Sequence, residues 1–150
     1  MLPIMAAFLD QPGARLARGV CRFLTESGAA PLTEFAPASG KRLDVIALAR
    51  DGAVIVVECK ASIADFRADR KWTGYLEWCD EFYFATPEEF PLELLPEEEG
   101  VISADAFGAE ILRPARPRRL APARRKALTL RIARTAAERL RAAIDPAPIG

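Results

Sequence analysis

A β-branched run, Val54-Ile55-Val56-Val57, follows an Asp51-Gly52 turn and ends in Glu58-Cys59-Lys60. No other stretch constrains the fold of this chain as strongly. Asp-Gly between two extended runs is a tight hairpin signal, because glycine readily adopts the positive φ that such a turn needs. The preceding run, Arg42 to Arg50, is mostly apolar with one acid, Asp44, and reads as the first strand of that hairpin. Ala53 to Lys60 is the second. Side chains alternate along a strand, so Val54, Val56, Glu58 and Lys60 share one face. Closing the hairpin then lays Asp44 alongside Glu58, pointing into the same pocket.

Around this hairpin the pattern alternates between the two periods. Leu16, Val20, Phe23 and Leu24 predict an amphipathic helix over Ala14 to Glu26, ended by Ser27-Gly28. Leu32 to Phe35 is a short strand before the turn Pro37-Ala38-Ser39-Gly40. Ser62 with Asp65 reads as a capping-box variant opening a helix that carries Ile63, Phe66, Trp72, Tyr75 and Leu76, with a break at Gly74. Glu81 to Ala85 is another strand, and the acidic, proline-punctuated run Glu88 to Gly100 is expected at the surface. Val101–Ser103 and Glu110–Leu112 form a small hairpin. A last helix, Ala123 to Ala143, has Leu128, Ile132, Ala136 and Leu140 on one stripe. The order predicts an α/β domain with a central mixed sheet flanked by helices.

Composition narrows the chemistry. The 150 residues include no histidine, which removes imidazole bases, serine–histidine and cysteine–histidine pairs, and histidine zinc sites. Cys21, Cys59 and Cys79 are far apart and lack metal-binding spacing, so a reducing cytoplasm is the expected compartment. The apolar stretch Leu2 to Leu9, followed by Asp10, is too short to span a bilayer and has no basic residue as a signal peptide would. No membrane partner is expected.

Charge is balanced overall but not locally. Residues 51–112 carry four basic and fifteen acidic side chains, whereas residues 113–150 carry eleven basic and two acidic ones. The basic segment, Arg124 and Arg125 included, has three readings. It tracks a DNA backbone, binds an acidic membrane surface, or pairs with the acidic middle of its own or another subunit. Its apolar stripe favours docking on the domain with a DNA-facing basic side.

Two carboxylates and an amine gathered at the rim of an apolar sheet repel and desolvate, a cost of several kcal/mol unless a cation compensates. One reading is a divalent metal site. Asp44, Glu58 and the backbone carbonyl of Cys59 supply oxygen ligands suited to Mg²⁺ or Mn²⁺, and Lys60 orients water or neutralises developing charge. The other is a solvated strand end, with a Glu58–Lys60 rim pair and Asp44 capping a turn.

The same residues carry a resemblance. Asp44, a hairpin, then Glu58-Cys59-Lys60, between two helices, resembles the PD-(D/E)XK nuclease superfamily. Arg42-Leu43-Asp44-Val45, Glu58-Cys59-Lys60, the run Asp65 to Trp72 and Asp80 to Ala85 together resemble the MmcB family of DNA repair proteins, over about residues 14–113. This resemblance implies a restriction-endonuclease-like core over residues 1–113, with a basic linker and helix over 114–150. It also implies Mg²⁺-dependent phosphodiester hydrolysis in DNA repair, with DNA and other repair proteins as partners. The superfamily includes members that only bind, so a catalytically inactive module binding DNA or a repair partner is the alternative.

The superfamily often adds a further acid. Glu34 is the first choice and Glu26 the second, each reading equally as a plain surface carboxylate. Arg67, Arg70, Lys71 and Tyr75 interleave cations with an aromatic, as a nucleic-acid strand would need, while Trp72 and Leu76 suit the core.

Overall fold

The Asp51-Gly52 hairpin forms as expected. Gly52 has φ of +89°, the Ala49 N–H donates to the Ala53 carbonyl at 2.9 Å, and the Ala53 N–H donates to Asp51 Oδ1 at 3.0 Å. This computed structural model describes residues 11–147 apart from Ser39, so the Leu2–Leu9 stretch, Asp10 and part of the Pro37–Gly40 turn lie outside the described residues.

The strands are β1 (Ala30–Phe35), β2 (Leu43–Leu48), β3 (Val54–Cys59), β4 (Glu81–Thr86), β5 (Gly100–Ala104) and β6 (Ala109–Arg113). They form one six-stranded sheet in sequence order. The pairs β1–β2, β2–β3 and β5–β6 are antiparallel, whereas β3–β4 and β4–β5 are parallel. The helices are α1 (Pro12–Glu26), α2 (Ile63–Ala68) and α3 (Pro122–Ile144), with a 3₁₀ helix over Trp72–Trp78. The α/β class with a mixed sheet flanked by helices, and the C-terminal helix, are as expected.

Both faces of the sheet are covered, which is why its central strand is a continuous apolar run. On one face Leu16, Val20 and Leu24 of α1 pack on Val45, Ile55, Val57 and Ile102. On the other, Val54 and Val56 of β3 and Phe82 and Phe84 of β4 form one face, covered by Trp72 and by Leu128 and Ile132 of α3. The expected stripe on α3 is only half used: Leu128 and Ile132 are buried, but Leu140 is 62% exposed.

Close approach also positions α1. A Cβ on Gly19 would lie 1.8 Å from the Asp105 carbonyl oxygen and 2.6 Å from that of Gly108, both in the β5–β6 turn. Gly19→Ala is therefore expected to cost about 2 kcal/mol, because the helix must lift from the turn. Urea unfolding measures this directly, and a loss below about 0.5 kcal/mol would mean that the turn yields instead.

Two local expectations shift for tertiary reasons. The helix opened by Ser62, whose Oγ accepts from the Asp65 N–H at 3.1 Å, stops at Ala68. Trp72, Tyr75 and Leu76 fall on the separate 3₁₀ helix, which runs through the expected break at Gly74. Asp69 stops α2, since its carboxylate holds the Lys60 amine at 2.7 Å and accepts the Lys71 N–H at 2.8 Å. The acidic run Glu88 to Gly100 is not wholly superficial, because Phe90, Leu95 and Glu99 are buried. Arg118 grips the Glu99 carboxylate with two bonds of 2.8 and 2.9 Å, and Arg113 donates to the carbonyls of Pro96 and Glu99 at 2.7 Å. Part of the basic segment thus pairs with the acidic middle of its own chain.

Candidate functional site

The β2–β3 register pairs Val45 with Val57, so Asp44 and Glu58 are the next opposed positions. There the backbone ladder gives way to the carboxylates. The Asp44 N–H donates to Glu58 Oε1 at 3.1 Å, and the Cys59 N–H donates to Asp44 Oδ2 at 2.8 Å. Each acid is thus clamped by the opposite strand through one oxygen, leaving Asp44 Oδ1 and Glu58 Oε2 without a backbone N–H among the described residues.

Both acids line a cleft of about 930 Å³ between α1 and the 3₁₀ helix. Glu58 is only 3% exposed and Lys60 6%. Burial pushes the Glu58 carboxyl up to about 9, and the neighbouring Asp44 charge raises it further than the hydrogen bond from Asp44 lowers it. Burial also raises Asp44, against the Cys59 N–H and the Lys60 charge, with Glu34 adding to the rise. The pair is therefore a desolvated, like-charged couple that an added cation would relieve.

Lys60 is held by Asp69 rather than by Glu58. Burial alone lowers an amine, but the hydrogen bond and charge of Asp69 outweigh it, and the Lys60 pKa rises. Asp69 stays below the usual carboxylate range because the bonds from Lys60 and the Lys71 N–H overcome its burial. The Glu58–Lys60 rim pair of the solvated-strand-end alternative is not formed, and Lys60 pairs with Asp69 instead.

The other expected residues divide. Glu34 and Glu26 both line the cleft. Glu34 has a left-handed φ of +51° and pairs with Arg42 at 3.5 Å, while Arg139 of α3 donates to the carbonyls of Thr33 and Glu34. Tyr75 lines the cleft, its hydroxyl pushed up to about 12 by burial and then by the charge of Glu58. Trp72 stacks on Phe82 with ring centroids 5.8 Å apart, in the core as expected. Arg67, Arg70 and Lys71 are exposed outside the cleft lining.

Arg124 and Arg125 are elsewhere, and both are engaged by groups of their own domain. Arg125 chelates Asp80 at 2.6 and 2.7 Å and also donates to the Gly52 carbonyl. Arg124 lies 4.4 Å over the Trp78 ring and bonds Glu77 at 3.1 Å. Both guanidiniums dock α3 on the domain, because isolated cations beside carboxylates and an aromatic face find those partners first.

Sequence reasoning missed Asp69 and the cationic wall of Arg18 and Arg22. The second was legible: Ala14, Arg18, Cys21, Arg22 and Thr25 follow helical spacing and form a stripe beside the core stripe, facing the cleft.

The donor set fits a hard divalent cation, since both side-chain ligands are carboxylates with an oxygen to spare and soft or imidazole donors are missing from the pair. Among the described residues no cluster of three or more Asp, Glu or Cys forms a ready ligand cage. No helix of the described residues is long and apolar enough to cross a membrane.

Comparisons with known proteins add the family. The structure is similar to that of SPO1766, a protein of unknown function from Silicibacter pomeroyi, with a TM-score of 0.90 and 54% sequence identity. The match covers 93% of this chain and 96% of that one. No curated protein matches this chain. The family described as DNA repair protein MmcB-like matches residues 4–147, nearly the whole sequence, and the chain belongs to that family.

Proposed function

We propose that this protein is a metal-dependent deoxyribonuclease of the PD-(D/E)XK type, hydrolysing phosphodiester bonds in DNA repair. One observation carries the reading: Asp44 and Glu58 oppose each other across β2 and β3 at the floor of a cleft, with Lys60 beside them. Two buried carboxyls that resist ionising together hold a proton in the empty site, and a divalent cation displaces it and stabilises the doubly ionised pair.

Asp44 and Glu58, with the Cys59 carbonyl, would hold Mg²⁺ or Mn²⁺, which supplies an activated water and charge stabilisation at phosphorus. The Lys60 amine, kept protonated by Asp69, neutralises the charge that accumulates on the scissile phosphate. Glu34 biases the field at Asp44 from the cleft wall. The exposed Arg67, Arg70 and Lys71 track the neighbouring backbone by phosphate contacts.

A second reading has a specific observation in its favour. Lys60 is already bonded to Asp69, so a module that binds DNA or a repair partner without cutting it would also use this cleft. Calorimetric titration with Mn²⁺ and incubation of DNA with Mg²⁺ separate the two. Wild type is expected to bind Mn²⁺, and Asp44→Asn to lose the heat. Lys60→Ala is expected to keep the binding heat while cleavage falls roughly hundredfold. Equal heats for wild type and Asp44→Asn sink the metal site. Metal and DNA binding without cleavage selects the binding module.

A further inference from the structure

The last helix carries two apolar stripes, and the domain covers only one of them. Leu128 and Ile132 are buried, Thr135 and Ala136 partly buried, and Arg139 bonds the β1 edge from the same side. About 130° around the helix lies the second stripe: Leu130, Ala133, Ala137, Leu140 and Ile144, at alternating spacings of three and four. All five are exposed, Leu130, Leu140 and Ile144 by 63%, 62% and 67%. Leu140, expected on the buried stripe, belongs to this one.

Alternating three and four is the repeat of a coiled-coil seam, whose apolar positions line up against another helix. Ala133 and Ala137 leave a notch between Leu130 and Leu140 where a second helix can come close. One flank of the seam is cationic. Arg134 and Arg141 border it with side chains 73% and 71% exposed, and their carboxylate partners are Glu138 and Asp145, one turn further along the same helix. Exposed pairs of that kind contribute little, so both guanidiniums can take a better-placed carboxylate from outside. The opposite flank, Thr129, Ala136 and Ala143, is uncharged.

These charges select the occupant. A second copy lying antiparallel would set Arg134 and Arg141 against the same arginine flank of its neighbour, and like charges repel. A lipid surface is poorly matched: α3 has no aromatic residue and its seam is one residue wide, whereas an interfacial helix buries a broad apolar face. A helix with acids beside its own apolar seam meets both features. We propose that the outer face of α3 docks an amphipathic helix of a partner protein, apolar at the same alternating spacing and acidic on the flank that meets Arg134 and Arg141. Among the described residues no part of α3 lines the cleft of Asp44 and Glu58. Such a partner leaves the cleft open, and the inference is independent of the nuclease reading.

Fluorescence anisotropy of the full chain serves, with a labelled peptide of about three heptads carrying leucine along its seam and glutamate on both flanks. This peptide is expected to bind, and a matching one with lysine flanks to bind roughly tenfold more weakly at low salt. Leu130→Ser with Leu140→Ser is expected to weaken the acidic peptide by roughly tenfold or more. The melting temperature should not change, since both leucines are exposed. Arg134→Glu with Arg141→Glu should reverse the preference between the two peptides, which a merely adhesive face would not do. Failure to bind the acidic peptide, equal binding of both peptides, or full affinity in the serine variant overturns the proposal. So does a dimer in sedimentation that the serine variant abolishes, or binding to phosphatidylserine vesicles that the serine variant loses.

Discussion

Replacing Glu58 with glutamine is expected to flatten the pH dependence of stability between about pH 5 and 9 and, under the proposed nuclease function, to lower cleavage about a thousandfold. Burial and the Asp44 charge push the Glu58 carboxyl up to about 9 in the folded chain. When unfolded it titrates near the ordinary glutamate value of about 4.3. Between those values the folded state holds more protons than the unfolded one, so stability falls as pH rises through the interval. The loss in the metal-free wild type is expected to be on the order of a few kcal/mol and belongs to the coupled Asp44–Glu58 pair. Few other groups interfere, since the chain has no histidine and burial pushes Cys21 up to about 11, Cys79 up to about 12 and Cys59 well above the ordinary thiol value. Glutamine keeps an oxygen for the Asp44 N–H and carries no charge, so the variant stays level where wild type declines. Thermal melts at pH 5, 7 and 9 measure the slope. Mn²⁺ should restore wild type at pH 8 and leave the variant unmoved. A variant that follows the wild-type slope would contradict the buried pair.

The second large effect is structural. Asp80→Ala is expected to destabilise the protein by about 3 kcal/mol at pH 7. The Asp80 carboxylate accepts the Val54 N–H at 2.7 Å, the Leu120 N–H at 3.0 Å and both arms of Arg125. It thereby ties the start of β3 to the segment leading into α3. Alanine leaves two backbone donors and a guanidinium without this partner. The Arg125 bond holds the Asp80 pKa at about 2, below its unfolded value, so its stabilisation is full above about pH 4 and disappears as pH falls toward 2. Wild type and variant should therefore converge in strong acid. Urea unfolding at pH 7 gives the magnitude, and hydrogen exchange should show α3 amides losing protection first. A loss below about 1 kcal/mol would mean that Leu128 and Ile132 alone hold the helix.

The candidate site was unusually legible. Asp44 and Glu58 meet because a hairpin turn sets the register, and alternation then determines which side chains oppose each other. Both facts are local. Asp69 was not legible as the partner of Lys60, since the bond depends on how α2 leaves the end of β3. Nor was the fate of Arg124 and Arg125. A basic run has the same appearance whether it faces DNA or closes on Asp80 and Trp78, and only the packing of α3 distinguishes the two.

What the chain's own order of residues determined was periodicity: a hairpin, a buried central strand, amphipathic helices, and two acids with one amine at a strand end. These follow from dihedral preference and side-chain alternation, which act over a few residues. The tertiary structure alone decided that the amine is held by Asp69, that Arg116, Arg118, Arg124 and Arg125 of the basic segment pair with the acidic middle, and that the acids lie between two walls. Those outcomes depend on charges and surfaces distant in sequence, whose attraction has no direction until the sheet brings them together.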